Sequence, residues 1–187
     1  MEYYKEKLYI EKNGKKIFGK KLPVIINNNG YYLSYITIFE DGCIDCWGLK
    51  DIDQIKSEIT SGKLLQTIPD HVELECSLGT IKSSGFIPEK SNEDFIKEIE
   101  DIINELNNRD NRRIVCEKSF KKYLIEPSES NLKSLTDAYH DLPAHQKVIF
   151  EYIDEKDPLC NLMNGSEEFT LTYRKSVLKH YFKIELE

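Results

Sequence analysis

The chain has 187 residues, 40% of them hydrophobic and 32% charged, with a formal net charge of −7. That balance excludes a disordered chain, and the acidic excess argues against general nucleic-acid binding, which depends on neutralising phosphates. The N-terminal stretch MEYYKEKLYIEKNGKK has no apolar segment of the signal-peptide kind, and no apolar run reaches the roughly 20 residues of a membrane span, so the expectation is a cytoplasmic protein whose five scattered cysteines are free thiols.

The first elements read as a meander: Leu8–Ile10 as a strand, Asn13-Gly14 as a turn, Ile17-Phe18 as a return strand and Leu22–Ile26 as a third apolar run. After the Asn27–Gly30 loop comes YYLSYITIFEDGCIDCWGL, Tyr31 to Leu49, the densest apolar and β-branched run and the bearer of the single Trp. Asp41-Gly42 between two apolar strands predicts a two-residue type I′ hairpin turn. In that register Ile38 faces Asp45 and Ile36 faces Trp47. One face then holds Ile36, Ile38, Asp45 and Trp47, the other Leu33, Tyr35, Phe39, Ile44 and Cys46, so the hairpin is expected to be covered on both sides. Asp45 would lie among apolar neighbours, tied to a backbone amide or the indole N–H, or serving as a pocket carboxylate. Cys43 and Cys46, three apart on a strand, point to opposite faces, which favours two structural thiols over a metal or redox pair.

Asp51 with Gln54 predicts a capped helix carrying Ile52, Ile55 and Ile59 inward and ending at Gly62. Leu64–Ile68, Val72–Leu78 and Ile81–Ile87 are strand candidates, the second with an acidic outer row of Glu73 and Glu75. Ser91 with Asp94 opens a helix to Leu106, with Phe95, Ile99, Ile102, Ile103 and Leu106 inward and Glu93, Lys97, Glu98, Glu100 and Asp101 facing water. The polar run Asn107–Arg113 is the candidate boundary. Beyond it, Ile114–Ile125 and a segment from Pro127-Ser128 to Leu142 read as helices and Lys147–Ile153 as a strand. A short helix follows from Asp157-Pro158 to Met163, then a final helix over Glu168–Phe182, in which TLTY reads equally as strand.

The expected fold is therefore α+β, a mostly antiparallel sheet packed by helices with a helix-rich C-terminal part. Residues 1–110 form the α+β domain around the 31–49 hairpin, and 111–187 form either a separate unit or part of the same domain. No phosphate-binding loop, nucleophile elbow or metal-spaced His pair is present, so no catalytic residue, metal or cofactor is assigned. The candidate binding residues are Asp45 and Trp47 in the hairpin, His145 after the Pro143 turn, and Asp154, Lys156 and Asp157 between an apolar run and the Pro158 helix start.

Two stretches carry a resemblance. EDGCIDCWGLKDID with the Gly62–Asp70 element, and AYHDLPAHQKVIFEYIDEKDPLCNLMNG from Ala138 to Gly165, resemble families of small uncharacterised bacterial proteins. Such families carry no assigned activity, so the resemblance implies a cytoplasmic bacterial protein and no mechanism. Three functions follow as expectations. The first is a non-enzymatic module binding a basic protein partner, such as an immunity protein that neutralises a toxin. The second is a small hydrolase or transferase built on Asp45, His145, Asp154 or Asp157. The third is a small-ligand protein with a pocket at Trp47 and the Tyr-rich strand.

Overall fold

In the computed structural model, which describes residues 8–84, 90–147, 159, 162 and 171–185, the apolar alternation from Lys15 to Phe39 folds back on itself once. Strand β2 (Lys15–Asn27) pairs antiparallel with β3 (Tyr31–Phe39), from Gly19 opposite Phe39 to Asn27 opposite Tyr31. The expected second and third runs are thus one long strand. The turn between β2 and β3 closes because Asn29 takes φ +54°, a left-handed conformation that Asn tolerates better than most residues.

Short strands cover both edges of this ribbon. On the β2 side, β1 (Leu8–Lys12) pairs with its start and β6 (Leu64–Leu65) with its end. On the β3 side, β4 (Ile44–Asp45) pairs antiparallel and β7 (Glu73–Cys76) parallel, and these are extended by β5 (Leu49–Lys50) and β8 (Gly79–Lys82). Pro23 stands opposite Tyr35 of β3 and lies between the β1 and β6 pairings, so its missing N–H takes nothing from either of those two. The sheet is antiparallel apart from the β3–β7 pair, as expected for α+β.

Helix α1 (Ile52–Thr60) starts at Asp51 and α2 (Asn92–Leu106) at Ser91, each with a reciprocal capping box, as the sequence predicts. Their apolar stripes cover one face of the sheet. Leu22, Val24, Ile26, Ile36, Ile38, Ile44, Cys46 and Leu64 from the sheet pack with Ile55 and Ile59 of α1 and Phe95, Ile99 and Ile102 of α2. Full burial of one such side chain contributes about 1.5–3 kcal/mol. The charged flank of α2 is less wet than predicted: Asp101 is buried, and Glu98 is held by Lys90 at 3.0 Å and by Gln66. Lys56 of α1 reaches Glu100 at 3.6 Å, so the neighbouring helix takes up part of this flank.

The hairpin register differs from expectation by one residue. Ile38 stands opposite Ile44 and Thr37 opposite Asp45. The connection is the three residues Glu40–Gly42, with Phe39 N donating to Cys43 O and Gly42 at φ +83°. A one-residue slip moves every side chain of the strand to the other face. The predicted register would have put Asp45 in the core at a cost of several kcal/mol, whereas lengthening a loop by one residue costs only tenths. The observed register puts Ile44 and Cys46 inward and Asp45 and Trp47 outward. The hairpin is correspondingly not covered on both sides, for Leu33 and Tyr35 of β3 are exposed on the face away from the helices.

The chain divides into two compact units, Met1–Arg109 and Asp110–Glu187. In the second, α3 (Arg112–Ile125), α4 (Glu129–Asp141) and α5 (Leu171–Phe182) surround a separate core of Cys116, Phe120, Leu124, Leu135, Leu142, Leu159, Val177 and Leu178. Asn111 and Ser128 cap α3 and α4. Arg174 donates through Nε and Nη2 to Leu124 O, satisfying a carbonyl at the end of α3. Two of the three arginines of the boundary run are paired within the second unit, Arg112 with Asp141 at 3.1 Å and Arg113 with Glu117 at 3.0 Å. Lys147, predicted to begin a strand, is helical, as are residues 144–146 before it, and the rest of that predicted strand lies outside the described residues. Of the predicted 157–163 helix, Leu159 and Leu162 are helical and the other residues lie outside the described set. Leu171–Tyr173 belong to α5, so the described part of TLTY is helix.

Candidate functional site

The turn between β4 and β5 presents the only Trp of the chain. Asp45 and Leu49 are paired across it, leaving Cys46, Trp47 and Gly48 as its tip. Two hydrogen bonds close the tip: Cys46 N donates to Gly48 O at 3.1 Å, and Gly48 N donates to Asp45 Oδ1 at 3.1 Å. Trp47 sits at φ +53° and Gly48 at φ +119°. A bulky residue in the left-handed region carries a strain of order 1 kcal/mol or more and persists where the surroundings impose it. The Trp47 side chain is not buried in return; the residue is 69% exposed.

Beside this tip lies a pocket of about 240 Å³, lined by Ile26, Asn27, Asn28, Cys46, Trp47, Glu58, Lys63 and Leu64. Its floor is apolar, since Ile26, Cys46 and Leu64 are buried core residues. Its rim is polar and comes from three places: the end of β2 and its turn, α1, and the turn after α1. The rim is braced by Asn27 N donating to Lys63 O at 2.9 Å and Asn27 Nδ2 donating to Gly62 O at 3.1 Å.

Of the two charged lining residues, Glu58 and Lys63, Glu58 is the acidic one. The stripe Ile55–Ile59 turns inward, which leaves Glu58 on the flank of α1 nearest the β4–β5 turn. Its Oε1 accepts from Lys50 Nζ at 2.5 Å, while Oε2 has the Cys46 thiol 3.9 Å away, a long and weak contact. Burial pushes the Cys46 thiol up from its ordinary value; Lys50 opposes that and the Glu58 carboxylate adds to it. Cys46 is therefore a neutral floor group and a poor nucleophile. Cys43 is held elsewhere, accepting from Lys12 Nζ at 2.9 Å, and both thiols are free. Among the described residues no cluster of His, Cys, Asp and Glu could hold a metal ion.

Of the sequence-predicted site residues, the structure brings Trp47 into this pocket's wall and leaves the Asp45 carboxylate bound to the turn backbone. His145 is half-buried in the 144–147 helical stretch of the second unit. Asp154, Lys156 and Asp157 lie outside the described residues. Sequence reading missed Glu58, Asn27, Asn28 and Lys63. The polar loop at Asn27–Gly30 was a signal for two of them, but nothing in α1 distinguished Glu58 from other flanking charges.

The first unit is thus an α+β domain with a strained aromatic tip beside a small polar-rimmed pocket. A family model described as Domain of unknown function (DUF7638) matches residues 7–110, and the chain belongs to that family. The resemblance to a family without assigned activity is borne out on the first of its two stretches; the second, from Ala138, lies beyond the matched range. No match was found among curated proteins or among solved structures. No helix among the described residues is long and apolar enough to cross a membrane.

Proposed function

We propose that this protein is a non-enzymatic binding module that recognises a basic protein partner through the Trp47 tip, an immunity protein neutralising a toxin in the cytoplasm being the concrete form. The observation that carries this reading is Trp47 itself, 69% exposed and held at φ +53° by a turn that two hydrogen bonds lock. An exposed Trp on a rigid, preorganised support suits an interface anchor, because Trp supplies large contact area at little cost in conformational entropy. Exposed Leu49 on the adjoining strand extends the apolar contact. The acidic excess of the chain favours encounter with a basic surface.

The experiment is capture from the native lysate with the wild-type protein and with Trp47→Gly, across a salt series. A stoichiometric basic protein retained by the wild type, released by salt and lost with Trp47→Gly is the expected result. A partner retained equally by both proteins would remove Trp47 from the interface, and no partner on either would remove the reading.

A further inference from the structure

The pocket beside Trp47 is small. At about 240 Å³ it falls below the roughly 300–1,000 Å³ of cofactor and drug-sized sites. It has room for one long side chain, not for a nucleotide. Its chemistry is graded from floor to wall. Ile26, Leu64 and the neutral Cys46 thiol offer an apolar bed for a methylene stem. Glu58, whose carboxylate lies beside the Cys46 thiol, and Trp47 complete the lining used here.

Glu58 is half-used. Lys50 occupies Oε1, and the only contact described for Oε2 is the thiol at 3.9 Å. That oxygen is part-exposed on the pocket wall and can accept from a ligand that donates. A flat cation would satisfy both wall groups at once, donating to the carboxylate and stacking on the indole. We infer that the pocket receives an arginine side chain of the partner, its stem on Ile26 and Leu64, its guanidinium against Glu58 Oε2 and the Trp47 ring. This rests on the binding reading above and names the partner group the site takes. Lysine fits less well, since an ammonium is a compact point charge that cannot stack as a plane. Lys50, already paired with Glu58 Oε1, and Lys63 on the rim are like charges that work against the cation, and Lys63 gives the inference a second, oppositely signed handle.

The single Trp is its own probe. The wild-type protein is titrated with N-acetyl-arginine amide, and with the uncharged isostere N-acetyl-citrulline amide, following Trp fluorescence and the indole N–H resonance. The expected result is a saturable response to the arginine compound and none to the citrulline compound. Glu58→Gln is expected to weaken the arginine response roughly tenfold, the scale of a charge-assisted hydrogen bond. Lys63→Gln is expected to strengthen it a few-fold, as removal of one nearby like charge does. No saturable response, or equal responses to the two compounds, overturns the inference, as does a Lys63→Gln protein that binds arginine more weakly. The citrulline comparison uses only the wild type and so holds even if Glu58→Gln fails to fold. A Trp47-dependent partner found by capture together with no arginine response would leave the binding reading standing and remove this one.

Discussion

Ile38 stands opposite Ile44, and this pairing decides the fate of both neighbours on β4 and beyond. With Ile44 inward, Asp45 must turn outward, and the chain arrives at Trp47 with no core left to enter. The three-residue Glu40–Gly42 connection makes that register possible, because Gly42 accepts φ +83° where a Cβ would be strained. Site geometry in this domain is thus set one hairpin upstream of the site.

Trp47→Gly is expected to keep or raise stability while removing partner binding. Glycine takes φ +53° without the Cβ clash, a relief of up to about 1 kcal/mol, and a residue 69% exposed gives up little burial. Urea unfolding of the two proteins checks this. A loss of more than about 1 kcal/mol would mean that the indole is a packing element, contrary to its exposure.

Asp45→Ala is expected to loosen the tip, because Gly48 N loses its acceptor. The cost to stability is about 1 kcal/mol, the usual net worth of one hydrogen bond. The sharper readout is Trp fluorescence anisotropy, which should fall in Asp45→Ala and stay near the wild-type value in Asp45→Asn, whose side-chain oxygen still accepts. Unchanged anisotropy in the alanine variant would show that Asp45 does not hold the tip.

Gly19→Ala is expected to be strongly destabilising. An added Cβ would lie 2.8 Å from Cδ1 and 2.9 Å from Cε1 of Phe39, and 3.0 Å from Cγ2 of Thr37. Phe39 is buried, so its ring cannot swing away freely. Overpacking of this kind costs about 1–3 kcal/mol. Chemical denaturation of the variant measures it, and a neutral substitution would mean that the Phe39 ring has room to shift.

Much of the fold was legible because local chemistry specified it. Asp51 with Gln54 and Ser91 with Asp94 write their helix starts in four residues each, and the Ile55–Ile59 and Phe95–Ile99–Ile102 stripes follow from helical spacing. The hairpin register was not legible, since Asp41-Gly42 serves a two-residue and a three-residue connection alike. The tie-breaker was energetic: only one register keeps Asp45 out of the core. Trp47 could be singled out from composition, but its exposure depended on that register. Glu58, by contrast, comes to the pocket through the packing of α1 on the sheet, a relation between distant segments that no local pattern announces.

Asp51→Ala and Ser91→Ala each remove a helix cap that is part of a reciprocal box. Each is expected to cost about 1 kcal/mol. The double variant should approach the sum, because the caps start different helices and share no described hydrogen-bond partner. Urea midpoints at constant slope check both claims. A markedly smaller double effect would mean that the two helix starts are coupled.

Cys116 makes the second unit sensitive to alkali. Burial in that core pushes its thiol up to about 11, with the Glu117 carboxylate adding to the shift. In the unfolded chain the thiol titrates near its ordinary value of about 9. The folded state therefore holds its proton through a range in which the unfolded state has released it. Stability from this group is fully present below the unfolded value and is lost as pH rises through the folded one. The expected window of loss is from about pH 9 to about pH 11. Cys116→Ala should flatten that part of the stability profile, though it lowers stability at neutral pH by leaving a small cavity. Thiol labelling at mildly alkaline pH gives an independent check: half-buried Cys43 and Cys76 should react before Cys116, which should label only as fast as its unit opens. Rapid labelling of Cys116 in the native protein would contradict its burial, and with it the assignment of the alkaline loss to this thiol.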